Sequence, residues 1–173
     1  MDNLSNNDQA PQAPARPTFL TVLCVLSFLG SAYGILNNLN GFMNAGKMPM
    51  ENVNQMLDSA RTEINKEAQG TPGAAVAEKV LSGATEFVDP AKLKKMSLYL
   101  LMANILTLGG AYLMFQLKKQ GFWMYVVGTA LAVLTPLIIY GAGNLVSIMM
   151  TVALGFIGVV FAVMYAVNLK HMS

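Results

Sequence analysis

Few side chains in this sequence have a type and spacing that could do chemistry, and each has a plain structural alternative. Asp58, Glu63 and Glu67 have the makings of a carboxylate set. Carboxylates poised for acid–base work need a pocket that tunes their pKa values. These three share their segment with Arg61 and Lys66 and read as the solvated face of a helix. His171 stands alone near the C-terminus with no partner at metal-ligand spacing. Serines are many, but no GxSxG or paired His/Asp setting marks a nucleophile. Cys24, the single cysteine, lies in an apolar stretch, which excludes an intrachain disulfide and CxxC chemistry and suits a small packed hydrophobe. The 13 methionines are scattered, not clustered as a metal-binding group, and read as apolar filler. The expectation is a protein that is not an enzyme, with no catalytic residue, cofactor or metal ligand.

What the chain does carry is apolar length. It is 54% hydrophobic and 12% charged, with a mean hydropathy of +0.48, figures that fit an integral membrane protein and not a soluble domain. A net charge of +2, with bases and acids interleaved, argues against a nucleic-acid surface. A bilayer core requires about 20 apolar residues in a helix. Four stretches meet that length: residues 18–40, 96–117, 121–140 and 144–168. The last three are joined by KKQ and GAG, too short for anything but hairpin turns. Residues 1–17, polar and rich in Pro, Asn and Gln, are expected to be disordered, and residues 169–173 to form a short polar tail. A signal peptide is the competing reading of residues 18–36, with Arg16 as its basic flank and Ser31 and Ala32 as a cleavage site. The length of the apolar stretch, its single flanking charge and the three later spans favour a retained first span. That span is expected to leave lipid at NNLNG, with Asn37, Asn38 and Asn40 serving helix-end carbonyls.

Polar residues inside spans are the pointers to transport. An ionised side chain at the bilayer centre costs at least about 2.5 kcal/mol, and the four apolar stretches contain none. A proton-coupled pump therefore lacks its central part. Asn104 is the most polar residue well within a span, with Thr129 and Ser147 among weaker company. An interhelical hydrogen bond that sets bundle register is the expected role of Asn104, and ligand or cation binding is the alternative. Small residues are spaced for close helix contact: Gly30 and Gly34 as a GxxxG, Gly109 with Gly110, Gly128 one turn before Ala132, and Gly155 with Gly158. They are expected to pack the four helices together, or to leave one face for a homo-oligomer or a larger complex. Pro136 is placed to kink the last turn of the third span.

Residues 41–95 differ sharply, since every acid outside the N-terminal tail lies there. Val53, Met56, Leu57 and Ile64 recur at helical spacing, QGTPG interrupts, and Val80 and Leu81 sit on a second stripe before Asp89-Pro90 opens the next helix. This predicts an amphipathic helical hairpin that lies on the bilayer, covers the mouth of the bundle or binds another protein. The fold class is thus all-α, a four-helix transmembrane bundle with an amphipathic helical hairpin between the first and second spans.

Lys118, Lys119 and Trp123, at the turn between the second and third spans, suit a lipid headgroup region, with Tyr99 and Tyr140 at the opposite interface. Four spans put both termini and the Lys118-Lys119 turn on one side. Arg16, Lys118, Lys119 and Lys170 favour that side being cytoplasmic, while Lys92, Lys94 and Lys95 pull the other way. We expect both termini inside.

RPTFLTVLC at the first span and LKKQGFWMY between the second and third, together with the amphipathic loop, resemble small four-span bacterial inner-membrane proteins of unassigned function. The resemblance covers the chain after the tail, implies a multi-pass inner-membrane location, and transfers no active residue. Tetraspanins need a Cys-rich loop, claudins a paired-Cys loop, quinone-reducing thiol enzymes a CxxC and small multidrug exporters a membrane Glu, all absent from this sequence. The expected function is an accessory, scaffold or assembly subunit whose partners are the bilayer and a membrane protein or a second copy. The alternative is a transporter or channel for an uncharged, amphiphilic or lipid-like ligand, with a mid-membrane cavity at Asn104, Thr129 and Ser147.

Overall fold

A computed structural model describes residues 17–47, 50–67 and 70–173. The N-terminal tail and Arg16 lie outside the described residues, as do Met48, Pro49, Ala68 and Gln69 and the side chains of Met50 and Glu67. The described residues form α1 (Thr18–Asn44), α2 (Met50–Glu67), α3 (Pro72–Phe87), α4 (Pro90–Phe115), α5 (Gln120–Tyr140) and α6 (Leu145–Asn168), with a closing 3₁₀ turn at Leu169–His171. No strand occurs among them. The chain is all-α, as its apolar periodicity predicts.

α1, α4, α5 and α6 are long and apolar enough to cross a membrane. At a rise of about 1.5 Å per residue they measure roughly 30–40 Å. Their outer faces are what water would not tolerate. On α6, Val152, Phe156, Val159 and Val163 form one stripe at helical spacing, each more than half exposed. With lipid as the solvent for such faces, the protein is a multi-pass integral membrane protein.

Local chemistry sets where the helices begin. Asp89 Oδ1 accepts from the Ala91 and Lys92 amides at 2.8 and 3.4 Å, and Pro90 needs no amide partner at the first helical position. Thr71 caps α3 in the same way, ahead of Pro72. Asn144 caps α6 through the Val146 and Ser147 amides at 2.9 and 3.2 Å. α1, in contrast, does not end at NNLNG but continues to Asn44. The asparagine amides serve carbonyls inside the helix, Asn38 donating to Gly34 at 2.6 Å and Asn44 to Asn40 at 3.1 Å. α5 runs unbroken through the buried Pro136 to Tyr140.

α4 is the centre of the bundle, packed along α1 on one side and α5 on the other, and α6 packs chiefly on α5. One end is closed by a core of Leu20, Leu23, Cys24, Met114, Tyr125, Tyr165 and Met172. The α4–α5 turn at this end carries Leu117 at φ 63°, a left-handed position where glycine is usual. The Leu117 amide reaches Met114 O at 2.9 Å and the Lys118 amide reaches Leu113 O at 3.0 Å, which closes the helix end. Ser173 then donates its amide to Leu117 O at 2.8 Å and accepts from Lys119 at 3.0 Å. The last residues are therefore folded back on this turn, with Met172 buried in the core.

Candidate functional site

Two places bring polar groups together: a cleft within the membrane layer and the junction of the hairpin with the bundle. The cleft exists because α1 and α6 meet at one end and part toward the middle. At the closed end, Tyr165 Oη donates to Ser27 Oγ at 2.8 Å, a buried bond between the first and last spans. Beyond it, a cavity of about 250 Å³ opens between α1, α4, α5 and α6. Its polar wall is made by Ser27, Ser31, Asn104, Thr107, Tyr125 and Thr129, and its apolar wall includes Leu154 and Phe161.

Asn104 does not make the interhelical hydrogen bond expected of it. Its Nδ2 donates to Leu100 O on its own helix at 2.7 Å, and its carboxamide faces α1 by shape, at the place a Cβ on Gly34 would occupy. The α1–α4 register is bonded one turn away, where the Ser31 and Thr107 hydroxyls share a hydrogen bond of 3.0 Å. Thr129 lies against Gly158, which admits its methyl between α5 and α6. Ser147 belongs elsewhere. It is the third residue of α6, fully buried, and its Oγ lies 2.6 Å from Gly141 O and 2.8 Å from Asn144 O. The expectation that it shares a mid-membrane cavity with Asn104 and Thr129 is thus corrected: carbonyls left over at the α5–α6 turn take its hydroxyl.

The small residues differ in what they admit. A Cβ on Gly110 would stand 2.6–2.8 Å from backbone atoms of Tyr125 and Gly121, and one on Gly109 2.6 Å from the flexible end of Met124. Gly34 and Gly158 meet side chains, and Gly155 has only an ordinary contact with Val133 at 3.6 Å. Gly30 has no neighbour within 4 Å and lines the cleft.

The hairpin is held at one end. α2 packs chiefly on α3, and α3 docks on α6 and α4 of the bundle. Gly83 O accepts from Asn144 Nδ2 at 3.2 Å, and the Phe87 ring stacks on Tyr140 with centroids 3.7 Å apart. At the α3–α4 corner Lys92 pairs with Glu86 at 2.7 Å, and its ammonium lies 5.6 Å from the Tyr140 ring centroid. The hydrogen bond and charge of Lys92 hold the Glu86 carboxyl below its ordinary range. Val53, Leu57, Ile64, Val80 and Leu81 are half-buried, while Met56 remains 73% exposed.

Gly83, Phe87, Tyr140 and Asn144 were not singled out as a docking group by spacing. Phe87 is the one aromatic between Met50 and Pro90, which is the signal that could have pointed to it; Asn144 reads as a turn residue. Asp58 and Glu63 are exposed on α2, and the side chain of Glu67 lies outside the described residues. His171 is exposed. Lys118 and Lys119 are exposed beside the C-terminal turn, and Trp123, 69% exposed, makes an edge contact with Phe122 at 5.6 Å. Comparison with protein-family models, characterised proteins and solved structures finds no match.

Proposed function

We propose that this membrane protein is a non-enzymatic accessory, scaffold or assembly subunit that engages a membrane-protein partner, or a second copy of itself, through the α2–α3 hairpin. One observation carries the reading. α3 is fastened to the bundle by Gly83 and Phe87, while α2 has α3 as its chief support and leaves Met56 uncovered. A helix so mounted is positioned by the bundle without being part of its core. The location that accords with this role is a bacterial inner membrane, with both termini and the Lys118-Lys119 turn cytoplasmic and the hairpin outside. The test is a photo-crosslinking residue at Met56, compared with one at Ser173, in the full-length protein in membranes. A discrete adduct of defined mass at Met56 is the expected result. Absence of any adduct, together with a clean monomer in mild detergent whether or not α2 and α3 are deleted, overturns the proposal.

A second reading has its own observation. The cleft beside Asn104 and Thr129 is polar on one wall, apolar on the other and open toward lipid at Gly30, which suits passage or binding of an uncharged amphiphile. Gly30→Leu would fill it. Flux of a neutral amphiphile in proteoliposomes that Gly30→Leu abolishes would support this reading, and flux equal to protein-free vesicles would remove it.

A further inference from the structure

The cleft between α1 and α6 has a hydrogen-bond pattern that narrows what fits it. Thr107 donates its one hydroxyl hydrogen to Asn104 O at 3.0 Å. In the 3.0 Å bond between the Ser31 and Thr107 hydroxyls the donor is therefore Ser31, whose hydrogen is spent while its lone pairs remain. The hydroxyls across the cleft are matched among themselves. Tyr165 donates to Ser27 at 2.8 Å, and the Tyr125 hydroxyl lies in reach of those of Ser27 and Thr129. Asn104 is matched only in part. One amide hydrogen goes to Leu100 O at 2.7 Å, but among the described residues no donor reaches its Oδ1, and that oxygen is not sealed in as the Tyr140 and Thr151 hydroxyls are. The free half of this carboxamide is thus one acceptor and one N–H. A group that only accepts leaves Oδ1 unmatched, whereas a hydroxyl donates to Oδ1 and accepts from Nδ2.

Depth narrows the ligand further. Ser31, Asn104, Thr129 and Gly158 lie near the middle of their helices, which puts the cleft at mid-membrane level, about 15 Å from either headgroup layer. No charged side chain lines it among the described residues, and a phospholipid would have to bring its phosphate to a depth that strongly disfavours charge. A lipid whose one polar group is a hydroxyl reaches that depth freely. The mouth lies between Leu26 of α1 and Ile157 of α6, both half exposed, and is open at Gly30, where a Cβ would meet no atom within 4 Å. Leu154 and Phe161 offer the apolar wall for a chain. We propose that this cleft binds a neutral long-chain alcohol, its hydroxyl donating to Asn104 Oδ1 and its chain leaving between α1 and α6 at Gly30. This rests on the second reading, in which the cleft takes a neutral amphiphile, and gives that amphiphile its chemical class.

The test is photolabelling of the full chain in phosphatidylcholine vesicles by an octadecanol with a diazirine near its hydroxyl, beside the methyl ether of the same compound. Adducts are located by peptide mass spectrometry and counted relative to those on the outer stripe of α6 at Val152, Phe156, Val159 and Val163, which meets lipid in either case. The alcohol is expected to label Leu154 and Phe161 about fivefold more than the ether does, the difference one hydrogen bond makes. Asn104→Leu keeps the size of the side chain without its polar atoms and brings labelling by the alcohol down to that by the ether. Gly30→Leu fills the mouth and abolishes cleft labelling by both, while Ser59→Ala, exposed on α2, changes neither. Equal cleft labelling by alcohol and ether, or labelling that Asn104→Leu or Gly30→Leu leaves intact, overturns the alcohol and leaves the cleft a place for other neutral amphiphiles. Cleft labelling no higher than the outer stripe with either compound removes both. Should Asn104→Leu lose helix content by circular dichroism, the comparison of alcohol with ether on the wild type decides.

Discussion

The α4–α5 seam and the α1–α6 seam are made from similar residues and behave in opposite ways. Along α4–α5, Gly110 stands opposite Gly121 and Tyr125, and Gly128 opposite Leu106 and Thr107, so backbone meets backbone. Along α1–α6, contact is confined to one end, where a tyrosine reaches a serine, and Gly30 faces open space. In lipid no hydrophobic drive presses helices together, so close approach needs small residues on both sides at matching heights. The tight α4–α5 turn supplies that matching directly. α1 and α6 are far apart in sequence, no short turn sets their heights, and Gly30 on α1 has no neighbour within 4 Å beyond the Tyr165 contact.

That contrast can be broken in order of expected effect. Gly110→Ala drives a methyl into the backbone of α5, which cannot yield as a side chain can, and is expected to lower stability by about 2–3 kcal/mol; unfolding in detergent by an increasing fraction of sodium dodecyl sulfate reads it. Gly158→Ala meets only the Thr129 methyl, and about 1 kcal/mol is expected by the same measurement. Tyr165→Phe removes the hydrogen bond from Tyr165 of α6 to Ser27 of α1, worth roughly 0.6 kcal/mol in a membrane interior. Its clearer sign is faster hydrogen exchange at Ser27 and its neighbours. Gly30→Ala fills empty space and is expected to change stability by less than about 0.5 kcal/mol. If Gly30→Ala costs as much as Gly110→Ala, the cleft is closed in the membrane and the two seams are alike.

A fifth outcome concerns the α3–α4 corner. Glu86 is held below its ordinary pKa by Lys92, so its pairing contributes above that ordinary value and is lost as pH falls through the depressed one. The rate of amide exchange from Phe87 to Lys92, divided by the intrinsic rate of the unfolded chain at each pH, should stay flat from neutral pH down to about the usual carboxylate range. It should rise only below that, and Glu86→Gln should show no such step. The effect is small because the pair is exposed.

Reading the chain alone goes a long way with the spans, because their cause is local. Twenty or so apolar residues without a charge need a bilayer whatever they pack against, and Asp89-Pro90 starts a helix through its own neighbours. Asn104 shows where local reasoning stops. Its type marks it as polar and intramembrane, but whether it bonds across helices depends on which residue of α1 stands opposite, and that residue is Gly34. Ser147 fails for the complementary reason: its position in a long apolar run conceals that α6 begins only at Leu145, so a serine that looks intramembrane belongs to a turn.

The all-α membrane class, the amphipathic loop and the lack of any charge inside the spans were thus decided by composition and periodicity, which are properties of single segments. The partners of Phe87, Tyr140 and Asn144, the parting of α1 from α6, and the cleft beside Gly30 were decided only by the tertiary structure. Each is a distance between residues separated by tens of positions, set by how several helices settle against one another and not by the preference of any one of them.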